Sequence, residues 1–133
     1  MSHIRTLVVD DCEDIRRFIC STLHEQTQCR VVGEASDGLE AVQLAEQLQP
    51  DLILLDIGLP ILNGMEASRQ IRELSPDSKI LFVSQNSSVE IVQAAMAQGA
   101  HGYVLKSEAA ELSLAVSSVL DGIPFVSNSL QLP

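Results

Sequence analysis

Aromatic side chains are scarce in this sequence: Trp is absent, and one Tyr and three Phe bring the class to 3% of the chain. A core must therefore be built of Leu, Val, Ile and Ala, which the 46% hydrophobic content supplies. Basic residues are few as well, eight Lys and Arg against eighteen Asp and Glu, for a formal net charge of -10. That balance argues against a surface gripping nucleic-acid phosphates, which needs clustered cations, so no direct nucleic-acid binding is expected. It favours a local cation site instead. The three cysteines, Cys12, Cys20 and Cys29, form neither a C-x-x-C pair nor a metal-spaced set, and read as reduced thiols of a cytoplasmic protein. No apolar run approaches the roughly 20 residues that cross a bilayer, so no membrane partner is expected. The opening MSHIRTLVVDD lacks the apolar core and cleavage site of a secretory signal. A glycine loop for a nucleotide is missing too: there is no G-x-G-x-x-G and no Walker pattern.

What is present is alternation. A chain of 133 residues fits one domain. Apolar runs at 4–9, 30–33, 51–55, 79–83 and 102–105 read as strands, several apolar almost throughout, as parallel strands covered on both faces should be. Between them, helical spacing predicts helices over 13–25, 38–48, 65–74, 88–98 and 110–120; Ile15, Phe18, Ile19, Thr22 and Leu23, for example, share one face. Gly99 and Gly122 stand where helix C-terminal caps belong. The order is (βα)5, an α/β fold with a five-stranded parallel sheet and right-handed crossovers. We divide the chain into a domain over 1–122 and a polar, turn-rich stretch over 123–133, a tail or the start of a linker.

Open α/β sheets place their sites at the carboxyl ends of the strands, near the point where strand order reverses. Here the first strand ends in Asp10-Asp11, the third in Asp56, the fourth in Ser84 and the fifth in Lys106. Any one of these alone is an ordinary polar residue following a strand; together they form a set. Two carboxylates 4–5 Å apart repel by roughly 4 kcal/mol at an effective dielectric of 20. A hard dication relieves that repulsion, and carboxylate and carbonyl oxygens with water suit Mg²⁺. Lys106 adds a compact positive charge for a phosphate oxygen, and Ser84 a neutral hydroxyl. An aspartate beside Mg²⁺ and Lys can act as nucleophile toward a phosphoryl group.

The blocks VVDDCEDIRR, LILLDIGLPILNGME, VSQNS and GYVLKS, in this order over about residues 4–121, resemble the receiver domains of two-component response regulators. The resemblance implies a doubly wound, flavodoxin-like fold with strand order 2-1-3-4-5. It implies Asp56 as the phosphoacceptor, supplied by a sensor histidine kinase or a small phosphodonor. Asp11 would bind Mg²⁺ directly, Asp10 mainly through a water, and the Gly58 carbonyl would be a third ligand beside Asp56. Ser84 would be the switch hydroxyl, Tyr103 the switch aromatic and Lys106 the phosphate-pairing lysine. Such a protein is a switch rather than an enzyme, catalysing only its own phosphorylation and dephosphorylation. The face made by helix 88–98, strand 102–105 and helix 110–120 is the expected effector or homodimer surface.

Ser84 stands where Thr is more frequent, Gln85 where many relatives have a small residue, and Ser107 where Pro is frequent. The sequence GYVLKSEAAEL followed by DGIPFVSNSL looks most like regulators with a C-terminal helix-turn-helix DNA-binding domain, which control transcription. No such module follows here, so the chain is either a free-standing receiver or, as the resemblance favours, part of a longer protein. Other readings are weaker. An aspartate-nucleophile phosphohydrolase would carry a second Asp two residues after the first, where this chain has Gly58. His3, His24 and His101 are scattered and read as surface or packing residues, and Tyr103 alone could be plain core filling.

Overall fold

The structure is a computed structural model and describes residues 3–26 and 28–130. Strands β1 (Ile4–Val9), β2 (Cys29–Ala35), β3 (Leu52–Leu55), β4 (Lys79–Ser84), β5 (Gly102–Leu105) and β6 (Phe125–Val126) alternate with helices α1 (Glu13–Glu25), α2 (Gly38–Leu48), α3 (Gly64–Leu74), α4 (Val89–Ala97) and α5 (Leu112–Leu120). The sheet is six-stranded, in the order β2-β1-β3-β4-β5-β6, with every pair parallel. The expected order 2-1-3-4-5 is there, but the expectation of five strands needs correction. Part of the stretch assigned to a tail lies on the outer edge of β5. Phe125 N–H donates to the His101 carbonyl at 3.2 Å, and Ser127 N–H to that of Tyr103 at 2.9 Å. A two-residue strand carries no periodicity to read, which is why the sequence hid it.

Alternate residues of each strand bury on opposite faces. Val8, Leu54, Leu81 and Val104 pack with Ile19 and Leu23 of α1 and Ala115, Val116 and Val119 of α5. Leu7, Ile53, Phe82 and Tyr103 pack with Ala41 and Ala45 of α2, Ile71 of α3 and Ala95 of α4. Both faces are thus dry, as the continuous apolar runs require. The first helix's stripe is narrower than the spacing suggests: Phe18, placed on the shared face from sequence, is 46% exposed. Side chains of Asp37, Asn63 and Ser88 cap α2, α3 and α4 by accepting the N–H of Glu40, Glu66 and Ile91. Gly99 and Gly122 follow α4 and α5 with φ of 99° and 80°, the left-handed turns that favour glycine. The last helix starts two residues later than expected. A 3-10 turn over Lys106–Glu111 precedes it, interrupted at Glu108 (φ -119°, ψ 36°). Among the described residues, no helix is long and apolar enough to cross a membrane.

The chain steps from β1 outward to β2, then returns to place β3 on the other side of β1. Strand order therefore reverses between β1 and β3, and the crevice at their carboxyl ends is where the fold leaves room for a ligand.

Candidate functional site

Asp10 and Asp56 follow β1 and β3 directly. Backbone pairing continues one step past the strands, with Asp10 N–H donating to the Ala35 carbonyl and Asp56 N–H to that of Val9, both at 3.1 Å. The two carboxylates are thereby fixed to the sheet. Asp10 is fully buried, Asp56 nearly so, and Asp11 is exposed at the mouth. One oxygen from each of Asp10, Asp11 and Asp56 can be chosen so that all three lie within 4.8 Å of one another.

Lys106, at the end of β5, lies between two of them. Its Nζ is 2.7 Å from Asp10 Oδ2 and 3.0 Å from Asp56 Oδ2, with the side chain 17% exposed. Burial pushes its pKa down, but the contacts with both carboxylates outweigh burial and the net shift is upward. For Asp10, burial raises the pKa and Asp56 adds to the rise. Lys106 and the Cys12 N–H, which donates to Asp10 Oδ1 at 2.8 Å, offset it only in part. Asp10 Oδ2 has the ion pair with Lys106 but no aligned hydrogen-bond donor. A buried carboxylate oxygen short of donors, beside two further carboxylates, is the donor set a hard oxygen-seeking dication fits.

The remaining walls come from the loops after β3, β4 and β5. Gly58 lines the cleft, and a Cβ built on it meets no atom within 4 Å. Its N–H points at Asp56 Oδ1 from 3.4 Å. Ser84 is buried at the end of β4, its Oγ accepting the Asn86 N–H at 3.1 Å. Tyr103 is fully buried, its ring tilted against Phe82 with centroids 6.0 Å apart, and its hydroxyl donates to the Asn86 carbonyl at 2.6 Å. Burial raises the Tyr103 pKa, so this phenol stays a donor. The backbone of Asn86 thus joins Ser84 to Tyr103.

Each residue singled out from the sequence borders this cleft or backs onto its walls. Three supporting residues were not singled out. Arg16 donates from Nη1 to the Asp10 carbonyl at 2.7 Å and pairs through Nε with Glu34 at 3.2 Å. Gly64 lets α3 press against the third strand's end: a Cβ there would lie 1.9 Å from the Asp56 carbonyl oxygen. The third is Ser127, on the stretch beyond α5. None of the three has a sequence signal, because each is defined by a long-range approach.

The response regulator receiver domain matches residues 6–117 of the chain. The chain belongs to that family. Among curated relatives, the transcriptional regulatory protein LiaR of Bacillus subtilis is 42% identical over 123 residues, covering 91% of this chain and 58% of LiaR. The nitrate/nitrite response regulator NarL of Escherichia coli is 40% identical over 100 residues, covering 75% of this chain and 46% of NarL. A LuxR-family two-component response regulator from Aurantimonas sp. superposes with a TM-score of 0.91 at 32% identity, covering 97% of this chain and 93% of that one. This receiver domain spans about half the length of the curated relatives it matches. Receiver domains of this family are phosphoacceptors in two-component signalling rather than ordinary enzymes.

Proposed function

We propose that Asp56 is the phosphoacceptor of this receiver domain and that Asp10, Asp11, Asp56 and the Gly58 carbonyl would hold Mg²⁺ beside it. The observation that carries the reading is the position of Lys106, whose Nζ is within 3.0 Å of Asp56 and within 2.7 Å of Asp10. The acceptor carboxylate and its counter-cation are already assembled, at the open end of the cleft. Bound Mg²⁺ would supply charge neutralisation for the phosphoryl oxygens.

The chain's own groups do the rest. An Asp56 carboxylate oxygen attacks phosphorus in line, from the cleft that Gly58 also lines. The bond to the donor breaks, its electron pair leaving with the imidazole nitrogen of a phosphohistidine or the carboxylate oxygen of acetyl phosphate. Lys106 moves its charge from Asp10 onto a phosphoryl oxygen, and the Ser84 hydroxyl keeps a free proton to donate to another. Ser84 is tied through Asn86 to Tyr103, so drawing Ser84 toward the phosphoryl group shifts the loop that holds the phenol. Phosphorylation then selects between two arrangements of the α4–β5–α5 face according to its differential interaction with them.

The donor is a sensor histidine kinase or a small phosphodonor, and the domain works in the cytoplasm. The catalysis is limited to its own phosphorylation and dephosphorylation. The receiver unit runs over 1–122, with 123–133 the head of a linker that begins docked on the sheet. A DNA-binding domain reached through that linker would make transcription the output. Because β6 occupies the outer edge of β5, a homodimer on the α4–β5–α5 face meets through the two helices and not by strand pairing. The test is intact mass after incubation with acetyl phosphate and Mg²⁺. One phosphoryl group is expected on the native chain, and none on Asp56→Asn or with chelator present. A gain retained by Asp56→Asn defeats the assignment.

A further inference from the structure

The stretch after α5 reaches the site from behind. Ser127 is fully buried and brackets β5. Its N–H donates to the Tyr103 carbonyl at 2.9 Å, and its Oγ accepts the Leu105 N–H at 2.8 Å. Leu105 immediately precedes Lys106. Strand β6 ends at Val126, so a side-chain hydroxyl takes the place a strand carbonyl would have had. The following residues hold the other side of Lys106. Asn128 N–H points at both Glu111 carboxylate oxygens, from 3.3 and 3.4 Å, and Ser129 Oγ donates to Glu108. Both glutamates lie on the 3-10 turn that Lys106 opens. Val126 and Leu130 pack on the core cluster that contains Tyr103. Residues 125–130 therefore form a strap on β5 and on the turn that follows it.

We propose that Ser127 is a positioning residue for Lys106, so that docking of this strap and occupancy of Asp56 share one equilibrium. The inference rests on the reading of Asp56 and Lys106 given above. Its direction follows from the geometry: with the strap docked, Lys106 already reaches Asp56. The docked strap is the partner of the lysine placement that an aspartyl phosphate needs. Coupling between two equilibria is reciprocal, so phosphorylation must in turn tighten the strap. The strap then receives the state of Asp56 through the hydrogen bonds that Ser127 makes with β5.

The experiment uses the full chain as wild type, Ser127→Ala, Ser127→Thr, and Glu108→Gln with Glu111→Gln. Three quantities are read: the phosphorylation rate with acetyl phosphate at saturating Mg²⁺, the Mg²⁺ affinity, and amide exchange at Phe125 and Ser127 with and without phosphorylation. Ser127→Ala is expected to lower the rate about tenfold, within the usual range of coupling between sites. Mg²⁺ affinity should stay unchanged, and Ser127→Thr should restore the rate. In the wild type, phosphorylation slows exchange at both amides; in Ser127→Ala it does not. The double glutamine variant moves the same way by less, and it decides the matter if Ser127→Ala fails to fold. A purely structural serine would lower thermal stability and leave the phosphorylation-dependent protection intact. That result, or a wild-type rate in Ser127→Ala, overturns the inference while the Asp56 reading stands. A wild type that takes no phosphoryl group overturns both.

Discussion

Asp10 shows how a functional residue opposes stability. Its carboxyl is fully buried, and burial holds its pKa above that of the unfolded chain. An acid shifted this way binds its proton more tightly when folded, so stability declines as pH rises from the unfolded value to the folded one. The loss is complete once the pH is above the folded value. Asp10→Asn removes it and should stabilise the protein at pH 7 on the order of 1 kcal/mol in urea unfolding, while Mg²⁺ affinity falls. Equal stability of the two proteins would show that Lys106 already compensates the buried charge. Gly64 is the opposite case, a residue with no chemistry that the site requires. A methyl group 1.9 Å from the Asp56 carbonyl oxygen meets main chain that cannot swing aside. Gly64→Ala should lose about 1–3 kcal/mol and slow phosphorylation, measured by denaturation and by intact mass. The acidic residues and Lys106 could be read from sequence because their chemistry is exceptional after an apolar run. Gly64 could not, since what it avoids lies eight residues away on another element.

The strands show the same division between legible and hidden. Runs such as LILL announced β3 because parallel strands are buried on both sides and have no polar face to interrupt them. Strand β6 was hidden because its pairing is set by β5 and by Ser127, outside its own residues. The start of α5 was misplaced for a similar reason, since Lys106 and the turn behind it are held by contacts to the chain beyond α5. His101, read as a scattered packing residue, has a structural duty at the start of β5. Its Nδ1 accepts the Ile80 N–H at 3.1 Å, and burial, with Lys79 and Arg72 nearby, lowers its pKa. The folded state therefore favours the neutral ring. Its contribution is present above the unfolded pKa of about 6.5 and is lost as pH falls toward the lower folded value. Acidifying from above that unfolded value through the folded one should therefore cost stability through this group. His101→Gln should flatten that part of the pH–stability curve, and an unaltered curve refutes the assignment.

Across the molecule the formal charge is -10, and three of its carboxylates, Asp10, Asp11 and Asp56, meet at one edge of the sheet. A ligand that binds only the folded chain stabilises it by mass action. Mg²⁺ at 100 times its dissociation constant should therefore raise the unfolding free energy by about 2.7 kcal/mol. Asp11→Ala should abolish the effect at little packing cost, because Asp11 is exposed. A melting temperature indifferent to Mg²⁺ in the native chain argues against the proposed ligand set.

The missing side chain at Gly58 also has a consequence in time. Gly58 puts no side chain into the cleft it lines, so on the proposed reading of Asp56 water would have the same way in as a phosphodonor. A mark written on Asp56 would then be open to hydrolysis from the moment it forms. Gly58→Leu should lengthen the half-life of the mark and slow its writing together, as intact mass followed over time would record.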